Sequence, residues 1–194
     1  MAVTRINSPL DEKTARGLAC GERVLVSGLI ATGRDQVHAY LASGNEPPID
    51  LAGMVIYHCG PVAVKGAHGW RITAAGPTTS LREEPYQAGI IERLRIGAVM
   101  GKGGMGPATL AAMQAHGCVY LHVTGGAAQY LARCIRDVKE VHLLERFGQP
   151  EAMWVLAVRD LPALVTMDSH GVSLHAAVED ETARNFQALL DEKP

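Results

Sequence analysis

Aromatic side chains, surplus positive charge and closely spaced cysteines are all scarce in this chain of 194 residues. Each scarcity excludes something. Two Phe, five Tyr and two Trp leave no series of platforms on which single-stranded bases could stack. Lys and Arg number 18 against 20 Asp and Glu, a formal net charge of −2, so the chain has no basic footprint for nucleic acid. Cys20, Cys59, Cys118 and Cys134 are scattered, with no C-x-x-C pair and no tight His/Cys spacing. They read as reduced, buried thiols, and an iron–sulfur cluster held by this chain alone would need closer spacing. No apolar run reaches transmembrane length, and the opening residues carry no apolar signal-peptide core. The expectation is a cytoplasmic protein that binds neither membrane nor nucleic acid.

What is present suits one domain over residues 1–194, with 191–194 as a disordered tail. Hydrophobic residues make up 47% and charged residues 20%, and a chain of this size buries roughly two-thirds of its unfolded surface. The first eighty residues are strand-dominated: 24–30, 54–58, 62–64 and 70–74 read as strands around a helix at 35–41, with Thr32 or Asp35 near its N-cap. The second half alternates. Helices are expected at 86–94, 107–116, 127–135 and 180–190, and strands at 98–100, 118–123, 138–144, 153–158 and 163–167. Near-continuous apolar strands between helices argue for a sheet with helices packed on it. The fold class is α/β, a layered β/β/α domain with a β-rich N-terminal half and an α/β C-terminal half.

Two glycine-bearing turns carry the chemistry. Ala75-Gly-Pro-Thr-Thr-Ser-Leu-Arg82 offers two adjacent hydroxyls and an arginine, and Gly101-Lys-Gly-Gly-Met-Gly106 offers a lysine between a strand and a helix. Arg matches a carboxylate with a flat fork of donors, Lys adds a compact charge, and glycine lets backbone N–H groups approach an anion. The lysine-bearing loop is not a Walker A loop, but a helix N-terminus behind it would favour an anion. If one helical turn follows Thr78, Arg82 falls on the same side. Glu83 and Glu84 equally fit a surface salt-bridge cluster around Arg82. Arg34, at a strand end before a helix, and Gly60-Pro61, closing another strand, stand where ligands often bind in α/β sheets. Asp168-Ser-His-Gly171 places His170 at a turn or cleft rim. Adjacent Asp, Ser and His do not make a triad, and no G-x-S-x-G elbow is present.

Several motifs occur together: Thr32-Gly-Arg-Asp-x-x-His38, Tyr57-x-x-Gly-Pro61, Gly76-Pro-Thr-Thr-Ser80, Gly101-Lys-Gly-Gly-Met-Gly106, Val123-Thr-Gly-Gly-Ala-Ala128, Pro150-Glu-Ala-Met-Trp154 and Asp168-x-His-Gly-x-Ser-Leu174. This ordered set resembles the beta subunit, or C-terminal domain, of class I iron–sulfur hydro-lyases, the fumarases and L(+)-tartrate dehydratases, over about residues 5–178. The resemblance implies a swivelling β/β/α fold and a partner alpha subunit whose cysteines carry a [4Fe–4S] cluster. It implies that the cluster iron coordinates a substrate carboxylate and hydroxyl while this chain grips the rest of the dicarboxylate. Matched motifs make Arg34, Arg82 and Lys102 anion-binding residues; Thr79, Gly60 and His170, read locally as cleft residues, are the further expected substrate contacts. Thr78 becomes the hydroxyl nearest the reacting carbon, a base in proton transfer. A free Thr hydroxyl is a very weak base, so that role requires an activating neighbour such as Lys102 or a group on the partner. Where the family often reads Arg-Met after the threonines, this chain has Arg82-Glu-Glu-Pro.

The expected function is therefore dehydration of a 2-hydroxy dicarboxylate, L-tartrate or malate/fumarate, by this chain together with an alpha subunit. The assembly is expected to be a heterotetramer or a homodimer of this chain. A cluster-free dicarboxylate-binding module is the alternative, and a stand-alone hydrolase using Ser169/His170 or Thr78 rests on residue types only.

Overall fold

The computed structural model describes residues 3–67 and 69–191. In chain order the first half comprises β1 (Val3–Ser8), α1 (Glu12–Arg16), β2 (Arg23–Thr32), α2 (Asp35–Ala42), β3 (Val55–Tyr57), β4 (Val62–Gly66) and β5 (Gly69–Ala74). A short 3-10 helix, Ser80–Glu83, then leads into α3 (Glu84–Leu94), β6 (Ala98–Gly101), α4 (Pro107–His116) and β7 (Val119–His122). The chain ends with α5 (Ala128–Cys134), β8 (Ile135–His142), α6 (Leu144–Phe147), β9 (Met153–Met167) and α7 (Leu174–Asp191).

The central layer is parallel, in the order β1-β2-β3-β6-β7. Its strands are apolar on both faces, which is why the sequence lacks simple in–out alternation there. Val55, Tyr57, Ala98, Met100, Val119 and Leu121 point to one core, and Ile56, Val99 and Tyr120 to the other. Helices α2, α3 and α4 cover the second face through Val37, Leu41, Ile90, Ile91 and Met113. The first face is closed by antiparallel β9 and β8, with α5 and the β4–β5 hairpin. Strand β9 pairs with both β7 and β2, so β2, β3, β6, β7 and β9 form a closed ring of hydrogen-bonded neighbours. This is the layered β/β/α arrangement expected from the sequence.

Several boundaries differ. The strands expected at 153–158 and 163–167 are one strand, β9, carried through the polar Arg159-Asp160 by a left-handed residue at Asp160 (φ 51°) and a register shift opposite Val26/Gly28. Strand β8 begins at Ile135, directly after α5, rather than at 138. The N-cap of α2 is Arg34, without a side-chain capping bond, and Asp35 stands next to it as the first helical residue. Helix α7 starts at Leu174, six residues before 180, and buries none of its residues. Asp191 is its last residue, so the expected tail 191–194 begins in helix, and 192–194 lie outside the described residues.

Candidate active site

Strands β2, β3 and β6 all end at one edge of the central sheet, the edge where crevices form in parallel sheets. There β2 leads to Gly33-Arg34, β3 to His58-Cys59-Gly60 and β6 to Lys102. The Gly76-Pro-Thr-Thr segment lies along these ends. Cys59 bridges Pro77, the Thr78 N–H donates to the His58 carbonyl (2.6 Å), and the Lys102 N–H donates to the Thr78 carbonyl (3.3 Å). The Ser80 N–H returns a bond to the Lys102 carbonyl (2.9 Å). Thr78, Thr79 and Lys102 are thus held together by backbone, independently of their side chains.

Glycine is required here for packing. A Cβ at Gly101 would collide with Ser80 Oγ, which accepts a bond from the Tyr120 hydroxyl (2.7 Å). Gly103 and Gly104 are left-handed (φ 83° and 74°), turning the chain sharply after Lys102. A Cβ at Gly60 would lie 2.6 Å from both the Arg34 guanidinium and the Pro150 carbonyl oxygen.

The three cations differ in how they are held. Half-buried Lys102 has no carboxylate within ion-pair distance among the described residues. Arg34 is half-buried, with Nε 3.2 Å from Glu151 Oε1. Arg82 is exposed and pairs with Asp35. Neither threonine hydroxyl makes a hydrogen bond among the described residues, so both are available to a ligand. Thr78 is half-buried and Thr79 exposed. The structure therefore brings Arg34, Gly60, Thr78, Thr79, Arg82 and Lys102 to one edge.

Three expectations about this region are corrected. The N-terminus of α4 is no free anion cradle, because Glu84 already occupies it. Its carboxylate accepts from Gly106 N (2.7 Å), Thr109 N (3.2 Å) and Thr109 Oγ1 (2.6 Å). Thr78 and Arg82 do not share a helical turn, since the 3-10 helix starts only at Ser80, and Arg82 turns toward α2. Nor is Arg82 in a surface cluster with Glu83 and Glu84, one of which is buried and the other a helix cap.

His170 lies elsewhere. It follows β9, whose end pairs with the beginning of β7, and neighbouring Gly171 packs on Gln114 near the C-terminus of α4. Its Nε2 donates to the Arg16 carbonyl (2.9 Å), and its own N–H is taken by Asp168. Ser169 is buried, 2% exposed, and its hydroxyl has no partner. Asp168, Ser169 and His170 form a structural turn, so no hydrolase site is assembled there.

The sequence reading missed a buried polar layer beneath this edge. His38, His58, Glu83 and Gln87 are all fully buried. One end of the Gln87 amide sits 3.0 Å from His38 Nε2 and 3.1 Å from His58 Nε2. His38 Nδ1 lies 2.9 Å from the Arg34 carbonyl and 3.6 Å from a Glu83 oxygen. Burial lowers both histidine pKa values, His58 more strongly, so both rings are neutral. His38 thus has an oxygen at each ring nitrogen, the Arg34 carbonyl at Nδ1 and Gln87 Oε1 at Nε2, and a neutral ring donates to one of them at a time. Burial, with Asp35 alongside, pushes the Glu83 carboxyl up to about 8. Only His38 stood within a recognised motif; the pairing through Gln87 is a tertiary contact that no spacing encodes.

The cysteines do not fit a cluster. Cys59 lies in the core between the sheets and Cys118 in the helix-side core, on opposite faces of the central layer. Burial raises both thiols to about 12. Among the described residues no three His, Cys, Asp or Glu side chains are grouped to hold a metal ion.

Comparison with known proteins places these features in context. The family model for the fumarase C-terminus matches residues 2–178. A putative class I fumarate hydratase of Geobacillus stearothermophilus is 55% identical over 190 residues, 97% of this chain and 37% of that protein. A putative L(+)-tartrate dehydratase subunit beta of Methanocaldococcus jannaschii is 36% identical over 186 residues, 93% of this chain and 95% of its own length. The L(+)-tartrate dehydratase subunit beta of Escherichia coli is 32% identical, covering 96% of this chain and 94% of the relative. The chain thus spans little more than a third of the fumarate hydratase and nearly all of the two subunits.

Proposed function

We infer the function from one fact: this chain belongs to the fumarase C-terminus family. We propose that it is the beta-type half of a hydro-lyase that removes water from a 2-hydroxy dicarboxylate. The observation that carries this reading is the Thr78–Lys102 pairing. It sets a lysine and two hydroxyls, all without partners among the described residues, at one point of the strand edge, with Arg34 and Arg82 nearby.

Elimination removes a proton from the carbon beside a carboxylate while hydroxide leaves the neighbouring carbon. Charge builds on that carboxylate, and fixed cations stabilise it. We assign Lys102 to that carboxylate, with Arg34 and Arg82 orienting the rest of the dianion and Thr79 lining it. Thr78 stands closest to the reacting carbon, and the charge of the Lys102 ammonium beside it favours the ionised form of its hydroxyl without Lys102 itself taking a proton. Gly60 supports the site by leaving room for Arg34.

We assign the [4Fe–4S] cluster to an alpha partner, since this chain's cysteines do not fit one, and the assembly to a heteromer. Buried free thiols suit a reducing cytoplasm, and no described helix is long and apolar enough to cross a membrane. The test is turnover of L-tartrate and of malate by the purified chain, alone and co-expressed with an alpha-type chain. Activity only in the pair, lost on exposure to oxygen, is expected; full activity of the single chain would refute the reading.

A further inference from the structure

Glu83 is anomalous in this setting. Its carboxyl is fully buried, yet neither oxygen accepts a hydrogen bond from any of the described residues. The groups around it come from every neighbouring element: Asp35 and His38 from α2, Glu151 from the turn before β9, and Arg82 from its own helix, with Arg34, at the cap of α2, reached through Glu151. Gln87 of α3 and His58 after β3 complete the layer. Asp35 is a close acidic neighbour of Glu83, and its charge adds to burial in raising the Glu83 carboxyl. Two carboxylates in such contact do not both ionise. Arg82 pairs with Asp35, which leaves Glu83, buried with no hydrogen-bond partner among the described residues, as the carboxyl that keeps a proton. That proton also makes the missing partners tolerable, because a buried neutral carboxyl costs far less to leave unpaired than an ionised one.

The charges can then be counted. Arg34 is opposed by Glu151, Arg82 by Asp35, and both histidines are neutral. With Glu83 neutral, these charges cancel. With Glu83 ionised, the wall of the site is net negative and Arg82 has a second acid to hold it. We propose that Glu83 is a positioning residue whose proton sets the affinity of the arginine pair for a dicarboxylate: protonated, it leaves Arg34 and Arg82 able to turn to the substrate, and ionised, it draws Arg82 inward and repels the dianion. The proposal rests on the dicarboxylate reading above. Because burial beside Asp35 pushes the Glu83 carboxyl up to about 8, the change falls in the neutral-to-alkaline range.

The test compares the assembled enzyme carrying wild-type chain with the Glu83→Gln variant, measuring KM and kcat for tartrate and malate on both sides of that pH. Above it, the wild-type KM should climb by up to about tenfold per pH unit, the limit for one linked proton. The Glu83→Gln enzyme should keep a flat KM, with kcat changed little in either protein. Parallel KM profiles would overturn the proposal. An infrared titration of the full chain reads the proton directly: a protonated-carboxyl band should fade as pH rises and be absent from Glu83→Gln. If that variant fails to fold, Glu83→Met and the wild-type titration serve instead, and absence of the band overturns the proposal. Failure of the complex to bind tartrate or malate at all, by calorimetry, would sink the functional reading and this proposal with it. The infrared band, which needs no substrate, separates that case from a Glu83 that is simply ionised.

Discussion

The Arg34 guanidinium occupies the space that a side chain on residue 60 would need. A Cβ there would stand 2.6 Å from it, with the Pro150 carbonyl equally close on another side. Residues 34 and 60 end different strands, so this contact ties β2 and β3 into one wall of the site.

Gly60→Ala should therefore injure both stability and binding. Overpacking of this kind costs about 1–3 kcal/mol, readable as a lowered urea midpoint. Arg34 must move to admit the methyl group, so KM for the dicarboxylate should rise more than kcat falls. An unchanged KM would mean that Arg34 does not touch substrate.

Stability should depend on pH in a direction set by Glu83. A carboxyl whose pKa is raised on folding, from 4.5 to about 8, binds its proton more tightly in the folded state. Stability is then lost as pH rises through that window. His38 and His58 work oppositely: lowered from 6.5 by burial, they favour folding once pH exceeds that value. Between about 6.5 and 8 only the Glu83 slope remains, so the wild-type Tm should fall there while that of Glu83→Gln stays level. Equal slopes in thermal denaturation would contradict the assignment.

His170 and Ser169 belong to a turn at the opposite edge of the sheet from Lys102. Ser169→Ala should leave turnover of the assembled enzyme unchanged, and labelling by a serine-directed fluorophosphonate should be absent. Either loss of turnover or stoichiometric labelling would revive a hydrolase reading.

Much of this was legible in the sequence because it is local. The turn residues Gly76-Pro-Thr-Thr and Gly101-Lys-Gly-Gly announce themselves, and alternating strands and helices announce layers. The merger of 153–158 with 163–167 was hidden because a polar Arg159-Asp160 interrupts the apolar pattern, and only pairing with β2 carries the strand through. Glu84 was legible as a surface charge and proved to be a cap reaching α4, 22 residues on. Glu83, beside it, turns inward for reasons that lie in α2 and α3, beyond any local rule.

The cysteines give an independent check on where a cluster resides. Cys59 and Cys118, with thiols raised to about 12 in separate cores, should resist alkylation in the native chain at neutral pH, leaving half-buried Cys20 as the readiest site. Iron and sulfide supplied to the isolated chain should produce no cluster absorbance. Rapid native labelling of Cys59 or Cys118 by mass spectrometry would contradict the burial.

The most direct test of the site is Lys102→Ala in the complex with an alpha partner. Lys102 has no carboxylate partner among the described residues and its backbone carries the pairing to Thr78 and Ser80, so removing the side chain leaves the turn intact. Turnover should fall about 100- to 1,000-fold, the scale for losing one preorganised electrostatic donor, with Tm and assembly unchanged. Wild-type kcat and KM in that variant would show that the Thr78–Lys102 turn does not hold the substrate.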